Sequence, residues 1–147
     1  MKIYVDADAC PVTDIIMDEA KRFLIDVIVV KSYSHFSIQD TPKHVTVKYV
    51  DDGADAVDYR IVQMVQRDDL VITQDYGLAA LCLEKGCYVM HHVGFTYSKD
   101  KINQMLQERH VNAKARKAGI RTKGPKKFTD EQKNSFRLKL RKLLELY

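Results

Sequence analysis

Short apolar runs alternate with stretches whose apolar residues recur every three or four positions, from residue 1 to about 92. Residues 2–6, Lys-Ile-Tyr-Val-Asp, open the series and stop at a carboxylate. Val12, Ile15, Ile16, Ala20, Phe23 and Leu24 then follow helical spacing, with Pro11 near the first turn, where its missing N–H costs nothing. Residues 27–30 are all β-branched and predict a second strand, and the polar residues 31–43 a loop. Residues 44–50 alternate and end at Asp51-Asp52-Gly53, a third strand and its turn. A helix is predicted over residues 54–66 and a fourth strand over 69–73. A helix over 76–85 follows, with Gly86 as a left-handed cap, and then a fifth strand over 88–92.

Strand alternating with helix predicts an α/β fold. The expected sheet is Rossmann-like and mainly parallel, with about four or five strands and helices on both faces. After Gly94 the pattern changes. Ser98 is placed to cap a helix reaching about His110, residues 111–127 read as a basic loop, and Thr129 with Gln132 forms a capping-box signature for a last helix. Phe136, Leu140, Leu143 and Leu144 share one face of that helix. The expectation is one domain over residues 1–147, with a core at 1–97 and a basic helical extension at 98–147.

Charge sharpens this division. Residues 1–98 hold 9 Lys/Arg against 15 Asp/Glu, and residues 99–147 hold 15 against 5, net −6 and +10. A basic segment beside an acidic core suits a phosphate-rich partner. Arg109, Lys114, Arg116, Lys117, Arg121, Lys123, Lys126 and Lys127 are the candidate backbone-binding residues. No apolar stretch approaches the roughly 18 residues of a transmembrane helix, and no secretory signal is expected. Three cysteines without a CxxC pair argue for reduced thiols in the cytoplasm and against a structural zinc site.

The candidate chemistry lies in the aspartates. In an open α/β sheet, ligands sit beyond the carboxyl ends of the strands. Asp6 and Asp8 follow the first strand, Asp51 and Asp52 the third, and Asp75 the fourth. Asp55 and Asp58, three apart on the next helix, share one face. Converging carboxylates repel unless a cation neutralises them, and oxygen-only ligands suit Mg²⁺ or Mn²⁺. Asp6, Asp55, Asp58 and Asp75 are the expected metal ligands. Asp6, Asp8, Asp55 and Asp75 are the expected catalytic set. Asp8, Asp52 and Asp75 can alternatively cap the helices that follow them.

A strand ending in Asp-x-Asp also opens the haloacid-dehalogenase-like phosphatases. That chemistry needs a hydroxyl, for which Thr73 is available, and a lysine, for which Lys85 is the candidate in order. The chain resembles more closely the YaiI/YqxD family of bacterial proteins, a group of uncharacterised function. Asp6-Ala7-Asp8-Ala9-Cys10-Pro11, Gly53-Ala54-Asp55-Ala56-Val57-Asp58, Leu70-Val71-Ile72-Thr73-Gln74-Asp75, and Gly124-Pro125 followed by Phe128 carry the resemblance, which covers nearly the whole chain. That family is similar in turn to the PIN-like nucleases, which have a Rossmann-like sheet with an acidic, metal-binding site at the strand ends. The resemblance implies Asp6 as the first-strand acid, Asp55 or Asp58 as the acid on the later helix and Asp75 as the acid after the fourth strand, with Asp8 additional.

The expectation is a Mg²⁺- or Mn²⁺-dependent phosphodiesterase acting on RNA ahead of DNA, and the rival is a non-catalytic nucleic-acid-binding protein. Other residues carry less. His91 and His92, adjacent on a strand, point to opposite faces and do not share a metal. His35 lies in the serine-rich loop near the site rim, and Cys10 is read as packing.

Overall fold

Five apolar runs pair side by side into one sheet in the order β3 (Val45–Val50), β2 (Val27–Ser32), β1 (Ile3–Asp6), β4 (Leu70–Ile72) and β5 (Tyr88–Met90). Every pairing is parallel. The structure, a computed structural model, describes residues 1–8, 10–38, 40–53, 55–117 and 128–147, without the side chains of 109, 110 and 112–117.

The strands read as unbroken apolar runs because both faces of the sheet are covered. Successive side chains point to opposite sides. Ile3, Val5, Val27, Val29, Leu70, Ile72 and Met90 face one layer, and Tyr4, Ile28, Val30, Val71 and Val89 face the other. The first layer holds α1 (Thr13–Arg22) and α5 (Asp130–Glu145). The second holds α2 (Ala56–Met64), α3 (Tyr76–Glu84) and α4 (Lys99–Lys117). This is the α/β, Rossmann-like architecture with helices on both faces.

Helix α5 is a structural member of the first layer. Phe136, Leu140 and Leu144 are fully buried, and each such side chain contributes roughly 1.5–3 kcal/mol relative to exposure. The Thr129–Gln132 capping box fixes its start: Gln132 N–H donates to Thr129 Oγ1 at 3.1 Å, and Thr129 N–H donates to Gln132 Oε1 at 2.9 Å. Glu19 of α1, 2 % exposed, accepts from Arg137 (2.9 Å) and from Arg141 (2.8 and 3.1 Å), which latches α5 to α1.

The chain departs from the sequence expectation in three places. Helix α1 ends at Arg22, and Leu24 is not on its apolar face; it takes a left-handed φ of 58° and is 93 % exposed. Helix α4 continues through Val111 to Lys117 where a loop was predicted, because that segment is rich in Ala, Lys and Arg and the first glycine comes only at Gly119. Strand β5 stops at Met90, so His91 and His92 lie beyond it. Gly86 is left-handed as predicted, with φ 86°.

The order of strands decides where a site can form. From β1 the chain moves outward to β2 and β3, then crosses by α2 to β4 on the other side of β1. The crevice between the carboxyl ends of β1 and β4 is the topological switch point, where open α/β sheets bind ligands.

Candidate active site

Asp6 closes β1 at that crevice, and Thr73 stands directly beyond β4. The Thr73 hydroxyl donates to Asp6 Oδ2 at 2.8 Å and accepts from the backbone N–H of Asp75 at 3.0 Å. Thr73 is buried, and its carbonyl accepts from the Tyr97 hydroxyl at 3.2 Å. One side chain thus ties the first-strand acid to the fourth-strand acid. Nothing local in the sequence marks Thr73 or Tyr97 for this; the signal is the pairing of β1 with β4.

Asp75 is the N-cap of α3, with Oδ1 accepting from Gly77 N–H (2.8 Å) and Leu78 N–H (3.2 Å). Its second oxygen stays outside the cap. From the α2 side come Asp58, on the first turn, and Asp55, the residue before the helix. Asp55 takes a left-handed φ of 64°, a conformation that costs a non-glycine residue about 1 kcal/mol and that Asp tolerates better than most. Asp55, Asp58 and Asp75 each offer a carboxylate oxygen, and these oxygens lie within 4.8 Å of one another.

The charge balance is unfavourable as it stands. Burial, a hydrogen bond that protonated Asp58 donates to the Asp75 carboxylate, and the charges of Asp75, Asp6 and Asp55 push Asp58 up to about 7. Asp6 is also raised, chiefly by burial and further by Asp75 and Asp8, against the lowering effect of the Thr73 hydroxyl. Among the described residues no lysine or arginine forms an ion pair with these four aspartates. The set fits a hard cation, since its donors are all carboxylate oxygens and three of them lie within 4.8 Å of one another.

Asp8 and Asp52 do not cap helices. Asp8 Oδ1 accepts from Ser32 N–H at 2.9 Å and lies 3.2 Å from His35 Nδ1; Asp52 Oδ1 accepts from Ser34 N–H at 2.9 Å. Both hold the short 3₁₀ turn Tyr33–His35 after β2. Their local spacing suggested capping, but the free N–H groups of a neighbouring strand end took the carboxylates instead. Asp8 lies outside the Asp55–Asp58–Asp75 trio. It lines, with Asp6, Cys10, Thr73, Gln74, Asp75 and His92, a cavity of ≈ 180 Å³ at the switch point.

His92, like Thr73 and Tyr97, takes a place at the site that its sequence position did not indicate. Its ring sits 4.3 Å from that of His91, because both lie in the turn after β5 rather than on opposite faces of a strand. His91 accepts from Val93 N–H at 3.0 Å and stacks on Phe95, and burial holds its pKa down to about 4. His92 is lowered too, again by burial, and meets the edge of Phe128. Burial likewise pushes the Cys10 thiol up, so it is no activated nucleophile. Lys85 donates to Val62 O from the far end of α3, which removes the lysine that a haloacid-dehalogenase-like site would require.

Arg109, Lys114, Arg116 and Lys117 lie on the last turns of α4, but their side chains fall outside the described residues. Arg121, Lys123, Lys126 and Lys127 fall outside them entirely. Among the described residues no helix is long and apolar enough to cross a membrane.

The chain is similar to a UPF0178 protein of Bacillus cereus strain 03BB102, with 56 % identity over 146 residues that cover 99 % of this chain and 100 % of the relative. A UPF0178 protein of Bacillus anthracis strain CDC 684 / NRRL 3495 is likewise 56 % identical over 146 residues with the same coverage. One of Bacillus thuringiensis subsp. konkukian is 55 % identical over 146 residues, again 99 % of this chain and 100 % of the relative. No solved structure matches. The uncharacterised YaiI/YqxD family matches over residues 4–146, nearly the full length, and the chain belongs to that family.

Proposed function

We propose that this protein is a divalent-metal-dependent phosphodiesterase acting on nucleic acid, with RNA the first substrate to test and DNA the second. The observation that carries the reading is the approach of three carboxylates within 4.8 Å at a sheet switch point, with Asp6 beside them. Asp6, Asp55, Asp58 and Asp75 would hold Mg²⁺ or Mn²⁺. Such an ion supplies a Lewis acid for phosphoryl oxygens and lowers the pKa of water.

The chain's own residues divide the remaining work. Thr73 orients Asp6 and fixes the backbone of Asp75. Asp8 spends Oδ1 on Ser32 and His35, which leaves Oδ2 to orient a water in the cavity. The basic residues 109–127 hold the phosphate backbone, so binding weakens steeply with salt.

The test is incubation of purified protein with RNA and with DNA, in Mn²⁺ and in chelator, beside an Asp6→Asn/Asp75→Asn variant. Metal-dependent cleavage that the variant lacks supports the enzyme. Binding without cleavage by either protein overturns it in favour of a non-catalytic nucleic-acid-binding protein.

A further inference from the structure

We propose that a second cavity, between α1 and β3, seats an unpaired nucleobase of a single-stranded substrate whose backbone crosses the aspartate cluster. The proposal rests on the phosphodiesterase reading and names the form of substrate it selects. The cavity measures ≈ 260 Å³. Ala7, Val29, Val45 and Val47, from the sheet and the loop after β1, line one part of it. Its polar edge carries Thr13, Asp14, Lys31 and Thr41.

Position ties this cavity to the acidic one. Cys10 lines both, so the two share the wall formed by the loop after β1. Strand β3 stands two strand spacings from β1, roughly 10 Å. The cavity lies on the first-layer face whereas Asp6, two residues after Tyr4, is on the second, so the bound strand would pass over the carboxyl edge of the sheet between them. The Tyr33–His35 turn, held by Asp8 and Asp52, connects the two places.

Chemistry selects a base over a phosphate. Asp14 at the edge repels a phosphate, whereas Asp14, Lys31 and the two threonines together offer a donor and acceptor set suited to a neutral heterocycle. The ring of Tyr49 forms part of the wall. Tyr33 stacks on it at 5.7 Å and 18°, and Phe36 packs against it at 5.1 Å. Tyr33 and Phe36 are themselves 55 % and 58 % exposed, an aromatic surface on which a further base can stack. A paired base, held in a duplex, cannot enter such a cavity without being flipped out.

The test uses anisotropy in chelator, so that it does not depend on cleavage. A labelled single-stranded oligonucleotide is compared with its counterpart in which abasic residues replace every base. The wild-type protein is expected to bind the abasic strand roughly tenfold more weakly. Tyr49→Ala, and Thr41→Trp, which fills the cavity, are expected to weaken binding to the normal strand by a similar factor. They should change binding to the abasic strand less than twofold. Tyr49→Phe, which keeps the ring, should bind as the wild type does.

Equal affinity of the wild type for the two strands overturns the proposal, with no variant needed. Equal losses on both strands in the variants overturn it as well, since Tyr49 would then act only through the fold. Base-dependent binding without metal-dependent cleavage would keep the cavity's role and sink the phosphodiesterase reading.

Discussion

A carboxylate oxygen of Asp58 lies within 4.8 Å of one of Asp75, although one residue belongs to α2 and the other caps α3. Two carboxyl groups in that relation share a proton or a cation. The proton is the choice of the metal-free protein, and it sets a pH dependence. Asp58 titrates at about 7 instead of 3.8, so a cation must displace a proton to bind at neutral pH. Mn²⁺ affinity should therefore rise roughly tenfold between about pH 6 and pH 8, with proton release, in a calorimetric titration. A pH-independent affinity would contradict this.

The same group has a signature in stability. A folded pKa raised above the unfolded value of 3.8 means that the folded state binds the proton more tightly. Its contribution is fully present below about pH 4 and is lost as pH rises toward 7. In chelator, denaturant stability should fall across that window, and the Asp58→Asn variant should show a flatter profile.

Thr73 is a positioning residue for Asp6 and Asp75. Thr73→Val keeps the volume but deletes the hydroxyl shared by both acids. We expect about a tenfold to hundredfold loss of metal affinity or activity, the scale seen for residues that orient ligands. Thr73→Ser should restore most of it. Unchanged Mn²⁺ binding and turnover in Thr73→Val would show that the hydrogen bonds do no such work.

The latch between α1 and α5 predicts the opposite pH trend. The Arg141 hydrogen bonds, aided by Arg137 and opposed by burial, hold Glu19 below the ordinary glutamate pKa of 4.5. A lowered folded pKa gives stability that is present above the unfolded value and lost as pH falls through the folded one. Glu19→Gln should lower Tm at neutral pH, and the gap from wild type should narrow as pH drops below about 4. A constant gap from pH 7 to pH 3 would contradict the pairing.

Much of this arrangement was legible in the chain because two-sided burial leaves a local trace. Residues 27–30 can be nothing but strand when both faces are covered, and the Thr129–Gln132 box announces α5 from four residues. Leu24 was misread because helical spacing continues two residues past Arg22, where the backbone leaves the helix. The aspartates were visible as types, but their partners were not. Asp8 and Asp52 look like helix caps until β2 brings Ser32 and Ser34 beside them. Thr73, His92 and the Tyr33–Phe36–Tyr49 group acquire meaning only when non-adjacent strands are set in order, which no local pattern records.

In the proposed activity, the aspartates at the switch point act with a divalent cation on a phosphodiester. The most direct measurement is the single-turnover cleavage rate of a labelled RNA in Mn²⁺, for wild type and for Asp6→Asn/Asp75→Asn. The rate should be abolished by chelator and lowered by at least about a hundredfold in the variant, with RNA binding retained. An equal rate in the two proteins would contradict the proposed activity.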